Sequence, residues 1–570
     1  MSTTEKLPAD DPADSAQDNA GAQDEGDHEE YEFTPKLSPA WALNLEQLAA
    51  VALFGALYVL LNFIPLRGTD IWGHVMYGQW ILDNLAFPAE DPWMPLAKGM
   101  QVFDTAWLSQ VIFGAVERYF GEEALSHLFA LVNIAAYILF ARLFFLQTRR
   151  VWLSVACTGL LIFIGWSRFA TIRPENFAVL CFAIVLLLSM RLHGFAGSPL
   201  GFRSDTKRFD YLTWLGIPVT FLFWANLHRS FVVGLIVLAC MLIGRIVEVA
   251  WQSRDTETVL KDAVARRWLF LFELSAAATL LNPLGFDLWI HTLTFSSNPN
   301  LAQVLEWEPL VVFGVGGRPF ALSVVLLLIV WRQSQRAIRP AEVVLLLVFG
   351  FAAINGVRML GWCAPVFHAV IAPHVADIVA RWFPALAYLP ASDETPSPLA
   401  DDDEEEAYEL PPGQSFRYSL AALLLIWIAF ALSPSSQVLF NKARPREKLM
   451  SSETPVALTS YLNQAYQGDA PEPLPGGQTF HPLWWGDWLK HDGPEQFRAF
   501  VTTNIHLVPP QVWRDYQRAI NLQDGWENTL SRYNVTTIIV DREEQSSFYR
   551  VLNRNDNWEL RYEDEQAAVY

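Results

Sequence analysis

The segment Thr69-Asp70-Ile71-Trp72-Gly73-His74 sets a carboxylate and an imidazole one helical turn apart, directly after the first long apolar stretch of the chain. Residues at that spacing share a helix face. A carboxylate can take a proton from an attacking hydroxyl, and an imidazole beside it can orient it or touch the nucleophile. Charge at a bilayer edge is costly unless it is solvated or used, which makes Asp70 a functional candidate by position. The next residues add Glu90-Asp91-Pro92-Trp93, then Asp104 and Trp107-Leu108. The plainer account is a helix cap at Asp70 followed by interfacial tryptophans. Asp70 and His74 are also two potential ligands for a divalent metal ion, but two ligands at helical spacing are a weak signal.

These groups sit in a membrane-like chain. It has 570 residues, is 52% hydrophobic and only 18% charged. The net charge of -20 is concentrated in an acidic N-terminal stretch and in the run Asp401 to Glu406. Such blocks repel and stay solvated, so residues 1–40 and 386–416 are expected to be a disordered cytoplasmic tail and an acidic cytoplasmic linker. No basic stripe with interleaved aromatics is present, which argues against nucleic acid as a partner. The acidic start lacks the basic n-region of a cleaved signal peptide. Cys157, Cys181, Cys240 and Cys363 all lie in apolar segments without metal-ligand spacing and read as small buried hydrophobes.

A spanning helix needs about 20 mostly apolar residues. Candidate spans are 43–66, 122–147, 151–167, 174–192, 211–227, 230–250, 267–285, 319–332, 340–357, 359–380 and 417–433. The pair on either side of Asn226-Leu227-His228-Arg229 is the least separated. Basic residues set the orientation. Arg149 and Arg150 follow the second span, Lys207 and Arg208 the fourth, Arg266 and Arg267 the sixth, and Arg332 and Arg336 the eighth. The N-terminus is then cytoplasmic, and an eleven-span chain carries residues 434–570 to the extracytoplasmic side. That last region is polar, with alternating runs such as Thr536-Thr537-Ile538-Ile539-Val540. It is expected to form a small α/β domain. Its Trp484-Trp485-Gly486-Asp487-Trp488 suits either a sugar-stacking surface or a docking surface for the membrane part.

The orientation gathers one set of groups on one face. Asp70, His74, Glu90 and Asp91 fall outside, as do Arg168, Arg173 and Glu175. His228, Glu306 and Arg358 join them. The cytoplasmic ends carry mainly the lysines and arginines of the topology signal. His368 and His374 lie in or near the tenth span and read as hydrogen-bonded core histidines.

These residues resemble the GT-C superfamily of membrane glycosyltransferases. More closely, they resemble a bacterial branch of large membrane proteins. The resemblance is carried by Asp70-Ile71-Trp72-Gly73-His74, Gly78-Gln79-Trp80-Ile81, Pro88-Ala89-Glu90-Asp91-Pro92 and Trp107-Leu108. Further matches are Arg173-Pro174-Glu175, Trp224-Ala225-Asn226-Leu227-His228, Asn282-Pro283-Leu284-Gly285 and Glu306-Trp307. It covers residues 43–380. It implies a GT-C-like transmembrane domain over 41–385, with a first extracytoplasmic loop over 67–121 and a last span at 417–433. It implies a bacterial inner-membrane location among membrane lipids. It also implies a polyprenyl-phosphate sugar donor, a glycan, lipid or protein acceptor, and a catalytic carboxylate carried onto Asp70. Glu175 stands where the superfamily often has a second acid after an arginine. Ile71 follows Asp70, so the usual Asp-Glu or Asp-x-Asp pair is absent there.

Sugar transfer passes through an oxocarbenium-like state while the acceptor hydroxyl loses a proton. On this reading Asp70 is the general base and His74 its partner, with Glu175 the further acid. Arg173 and Arg358 stabilise the leaving phosphate. Glu90, Asp91, Arg168, His228 and Glu306 complete the substrate contacts. The main alternative is a non-catalytic membrane protein that binds lipid-linked glycan or organises an envelope assembly. A transporter, the third reading, calls for polar residues near mid-bilayer, whereas here they gather at span ends.

Overall fold

The first apolar helix, α1 (Leu45–Phe63), starts where Asn44 and Gln47 cap one another: Gln47 N donates to Asn44 Oδ1 at 2.8 Å and Asn44 N to Gln47 Oε1 at 2.9 Å. The reciprocal pair satisfies two backbone donors that would otherwise be orphaned at the helix start. The computed structural model describes residues 43–66, 70–169, 171–194, 211–303, 308–314, 316–383, 414–440, 442–467 and 473–570. The expected tail at 1–40 lies outside them, as does nearly all of the expected linker. Gln414 to Phe416, placed in that linker from sequence, belong instead to the helix Gln414–Leu432.

Beyond α1 come α2 (Asp70–Asn84), α3 (Trp107–Phe120), α4 (Glu123–Thr148), α5 (Val151–Phe169), α6 (Glu175–His193), α7 (Tyr211–Leu227) and α8 (Phe231–Ser253). The main later helices of this part are Ala263–Ala278, Gly317–Gln333, Pro340–Asn355, Leu360–Trp382 and Gln414–Leu432. A helix thus overlaps each expected span, and the chain breaks between Leu227 and Phe231 to make two helices there. Among the described residues five helices are long and apolar enough to cross a membrane: α1, α4, α6, α8 and the stretch Val357–Trp382. Apolar segments of α5 and α7, together with Pro340–Asn355 and Phe416–Leu432, are shorter.

The helices close around an aromatic core. Phe182 meets Trp362 at 5.2 Å and Trp224 at 6.3 Å between ring centroids, both edge-on. Such rings attract edge-to-face beyond the area they bury. His368 and His374 are buried as expected, with Nδ1 against Ala364 O at 2.8 Å and Ser334 Oγ at 3.0 Å. Cys181, Cys240 and Cys363 are buried, Cys157 is partly so, and all four thiols are free.

The first loop is itself helical. α2 and α3 run side by side in the same direction, since His74 meets Gln110 while Asp83 meets Arg118 further along both helices. Two glycines allow the approach. A Cβ on Gly78 would sit 1.8 Å from Gln110 O, and one on Gly114 would sit 2.7 Å from Gln79 N. This close contact fixes Asp70 and His74 relative to the bundle.

The C-terminal residues form a four-stranded sheet in the order β1-β2-β4-β3. β1 (Gln478–Phe480) runs parallel to β2 (Val535–Asp541), and β4 (Ala567–Val569) lies antiparallel between β2 and β3 (Tyr562–Glu563). Helices Val456–Gln467, Pro510–Ile520, Trp526–Arg532 and Ser546–Leu552 accompany the sheet. Ion pairs tie this part to the helices. Arg444 reaches buried Glu123 at 2.7 Å and also donates to Asn62 O at 3.0 Å. Arg446 joins Glu122 and, at 2.6 Å, Asp492. Trp485 and Trp488 are fully buried, and Trp488 stands edge-on to Trp72 with centroids 5.2 Å apart. Of the two sequence readings of this tryptophan cluster, docking is the one this packing matches.

Candidate active site

Asp70 opens α2, and the next turn carries His74. The facing groups come from three other chain reversals on the same side of the bundle. Arg173 and Glu175 flank Pro174 at the start of α6, where Asn176 Oδ1 accepts from Arg173 N at 2.7 Å. Arg229 lies in the turn between α7 and α8. Arg358 lies in the short turn Val357–Met359 before Leu360–Trp382.

The geometry pairs acids with arginines. Arg173 Nε is 2.7 Å from Asp70 Oδ2. Arg358 Nη2 is 3.4 Å from Glu175 Oε2. Since Arg173 and Glu175 are two positions apart in the chain, the two ion pairs share one neighbourhood. Asp70 Oδ1 is buried and has no hydrogen-bond partner among the described residues, so one oxygen of the carboxylate stays uncommitted. Gln110 Nε2 lies 3.2 Å from His74 Nδ1. If the amide donates there, the neutral ring keeps its proton on Nε2. Burial pushes the His74 imidazole down to about 4; Arg173 and Arg229 act in the same direction and Asp70 against it. The ring is therefore neutral near pH 7 and acts by hydrogen bonding rather than by charge.

Arg229 is a residue that sequence reasoning passed over. Its guanidinium lies over the Phe295 ring, 3.4 Å from the centroid. Burial, with Arg358 beside it, holds its pKa down to about 9, against the pull of Glu175 and Asp104. Phe295 also meets His506 edge-on at 5.5 Å, and burial, Arg229 and His74 together push His506 down to about 3. A histidine of the C-terminal part thus joins the Asp70 cluster. Asp487 reaches α2 as well: a Cβ on Gly73 would come within 2.6 Å of its Oδ1. Burial raises the Asp487 carboxyl to about 7, while hydrogen bonds from Thr503 oppose the rise. The one clue to Arg229 in the sequence is its place directly after Asn226-Leu227-His228, between two apolar runs. His506 and Asp487 carry no such signal, because they arrive from a separate stretch of chain.

Other expected site residues lie elsewhere or do other work. Asp91 accepts from Tyr77 Oη at 2.7 Å, Trp93 N at 2.8 Å and Met94 N at 3.0 Å, which makes it a staple of its loop. Glu90 is exposed and pairs through its backbone with Gln101. His228 is buried, with Nδ1 2.8 Å from Ser230 Oγ in its own turn. Arg168 is in α5, but its side chain lies outside the described residues, and Glu306 lies outside them altogether. Among the described residues no three His, Cys, Asp or Glu side chains gather in an arrangement that could hold a metal ion.

Neither a protein-family model nor a curated protein sequence matches the chain. Solved structures do. The oligosaccharyltransferase of Archaeoglobus fulgidus in its apo form aligns over 90% of this chain and 71% of its own, at 13% identity and a TM-score of 0.50. The same archaeal enzyme, AglB, in complex with an inhibitory peptide and a dolichol-phosphate aligns over 89% and 70%, at 12% identity and a TM-score of 0.51. ArnT from Cupriavidus metallidurans bound to undecaprenyl phosphate aligns over 94% and 98%, at 14% identity and a TM-score of 0.46. On the likeness to the archaeal oligosaccharyltransferase, the chain has a GT-C-like fold.

Proposed function

We propose that this protein is a membrane glycosyltransferase that moves a sugar from a polyprenyl-phosphate donor to an acceptor hydroxyl on the extracytoplasmic side. The observation that carries the reading is the convergence of Asp70, His74 and three arginines at one set of helix ends, with Asp70 Oδ1 buried and uncommitted. Asp70 is the general base: its carboxylate takes the acceptor proton as the acceptor oxygen bonds to the anomeric carbon. His74, neutral, offers a hydrogen bond to the acceptor or to Asp70. The bond to the lipid phosphate breaks as the new one forms. Its electrons leave with the phosphate oxygen, whose charge Arg173, Arg229 and Arg358 stabilise. Arginine suits the task because its planar fork matches phosphate geometry. The archaeal enzyme of the same fold binds dolichol-phosphate, which supports a donor of that chemistry here.

In this reading the helices at all eleven expected spans cross the membrane, and the C-terminal α/β part faces outward above the site. The three hydrogen bonds that the Asp91 carboxylate accepts hold its loop in place.

The test is incubation of the purified protein in lipid with a panel of radiolabelled polyprenyl-phosphate sugars and candidate acceptors. Transfer that is lost in Asp70→Asn supports the reading. Tight binding of the lipid-linked sugar with no transfer to any acceptor points instead to the non-catalytic glycan-binding alternative.

A further inference from the structure

Asp104 is a buried acid that the proposed chemistry leaves unused. Its Oδ1 accepts from Ala106 N at 3.0 Å, while Oδ2 is buried without a hydrogen-bond partner among the described residues. An orphaned buried oxygen is costly unless a proton or a ligand meets it. The segment that holds Asp104 is fastened to the turn that holds Arg229. Trp107 Nε1 donates to Asn226 Oδ1 at 2.9 Å, and Ser109 Oγ donates to Leu227 O at 2.7 Å. Phe103 stacks on His291 with centroids 3.4 Å apart and fixes the other side of the segment. Among the described residues Asp104 and Arg229 make no ion pair, although each acts on the other electrostatically.

We infer that Asp104 is the second half of the phosphate subsite at Arg229: as a carboxylic acid it donates its proton in a hydrogen bond to a phosphate oxygen, and as a carboxylate it turns the ligand away. The proposal rests on the glycosyltransferase reading for the ligand's identity but not for the state of the acid. Burial pushes the Asp104 carboxyl up to about 7, and Arg229 offsets only part of this. The charged and titratable groups around it are Arg229 with its neighbours Arg358 and Glu175, the imidazoles His74, His506 and His291, and Tyr77 with Asp91 on the α2 side. With these imidazoles held neutral or low, Asp104 is the acid acting on Arg229 whose charge changes near neutral pH; Asp487, which meets the set through Tyr77, changes charge in the same range and is common to the native and Asn forms compared below. Below that point the subsite holds a net positive charge and a donor. Above it the carboxylate cancels Arg229.

The experiment measures binding of undecaprenyl phosphate to the full chain in nanodiscs, for the native protein, Asp104→Asn and Asp104→Glu. Inorganic phosphate serves as competitor, to separate headgroup recognition from recognition of the lipid. Affinity of the native protein is expected to fall about thirtyfold relative to Asp104→Asn between about pH 6 and about pH 8.5, by linkage to one ionisation. Asp104→Asn, whose amide donates but cannot ionise, should keep the high-affinity form across that range. Equal pH dependence in the native and Asn forms overturns the proposal, as does loss of binding at every pH in Asp104→Asn. If no form binds the lipid, the donor assignment fails, and the acid is then judged by infrared titration. A protonated-carboxyl band that titrates near neutral pH and is missing in Asp104→Asn keeps the acid; its absence removes it.

Discussion

Arg173 Nε lies 2.7 Å from Asp70 Oδ2 and joins the first residue of α2 to the entry of α6. The pair aims the proposed base and leaves its other oxygen uncommitted. It also links the proposed base to the proposed leaving-group site, because a phosphate that draws on Arg173 must share it with Asp70.

Asp70→Asn should lower transfer by roughly 100- to 10,000-fold, the usual cost of losing a general base, while the protein still folds and inserts. The measurement is turnover of a labelled polyprenyl-phosphate sugar by purified protein, with size-exclusion behaviour as the folding control. Near-native turnover would remove Asp70 from the mechanism.

Replacing Arg173 or Arg358 with Ala should weaken donor binding, since a hydrogen bond to a charged group contributes about 1.5–3 kcal/mol. Lys should rescue only in part, because an ammonium cannot reproduce the guanidinium fork. The two effects are expected to be non-additive, as both ion pairs meet at the start of α6. A double-mutant cycle on donor affinity reads this directly. Simple additivity would separate the two arginines into different sites.

Trp488→Ala should loosen the C-terminal part from α2 at a cost of about 3–5 kcal/mol, as for other large buried aromatics. Trp488 is fully buried and meets Trp72 edge-on. Proteolysis between the two parts should accelerate, and His506 should leave the Asp70 cluster, so activity should fall with docking. A variant that stays resistant to protease would show that the ion pairs of Arg444 and Arg446 suffice.

The outward placement of the C-terminal region is checked at Ser460, an exposed position on the helix Val456–Gln467. Ser460→Cys should react with an impermeant thiol reagent in intact spheroplasts, against a background of mostly buried native thiols. Labelling only after lysis would reverse the orientation and the sidedness argument with it.

Raised acids give a pH signature for docking. Asp487 titrates near 7 in the folded protein against an ordinary value of 3.8. The folded state therefore holds its proton more tightly, and stability falls as pH rises between those values, by about 4 kcal/mol at most. Asp487→Asn should flatten this part of the stability profile in denaturant melts. An unchanged slope would mean that Asp487 ionises freely in place.

Apolar run length and the alternation of basic loops made the helices legible, because burial in a bilayer demands long stretches without charge and leaves the topology signal outside them. The Asp70-to-His74 spacing was legible for the same reason: neighbours one turn apart on a helix are set by helix geometry alone. So was the convergence of Arg173, Glu175 and Arg358, each at a helix end expected on the same side. The sequence did not determine which acid meets which arginine, since that follows from the close crossing of α2 and α3 at Gly78 and Gly114 and from how α6 enters the bundle. Nor did it determine that Asp91 and His228 serve their own turns. Only the tertiary structure brought Arg229 and His506 to His74, Asp104 to Arg229 and Asp487 to Asp70. Their environment depends on burial by distant stretches of chain, and desolvation by distant neighbours has no local spacing that a sequence can display.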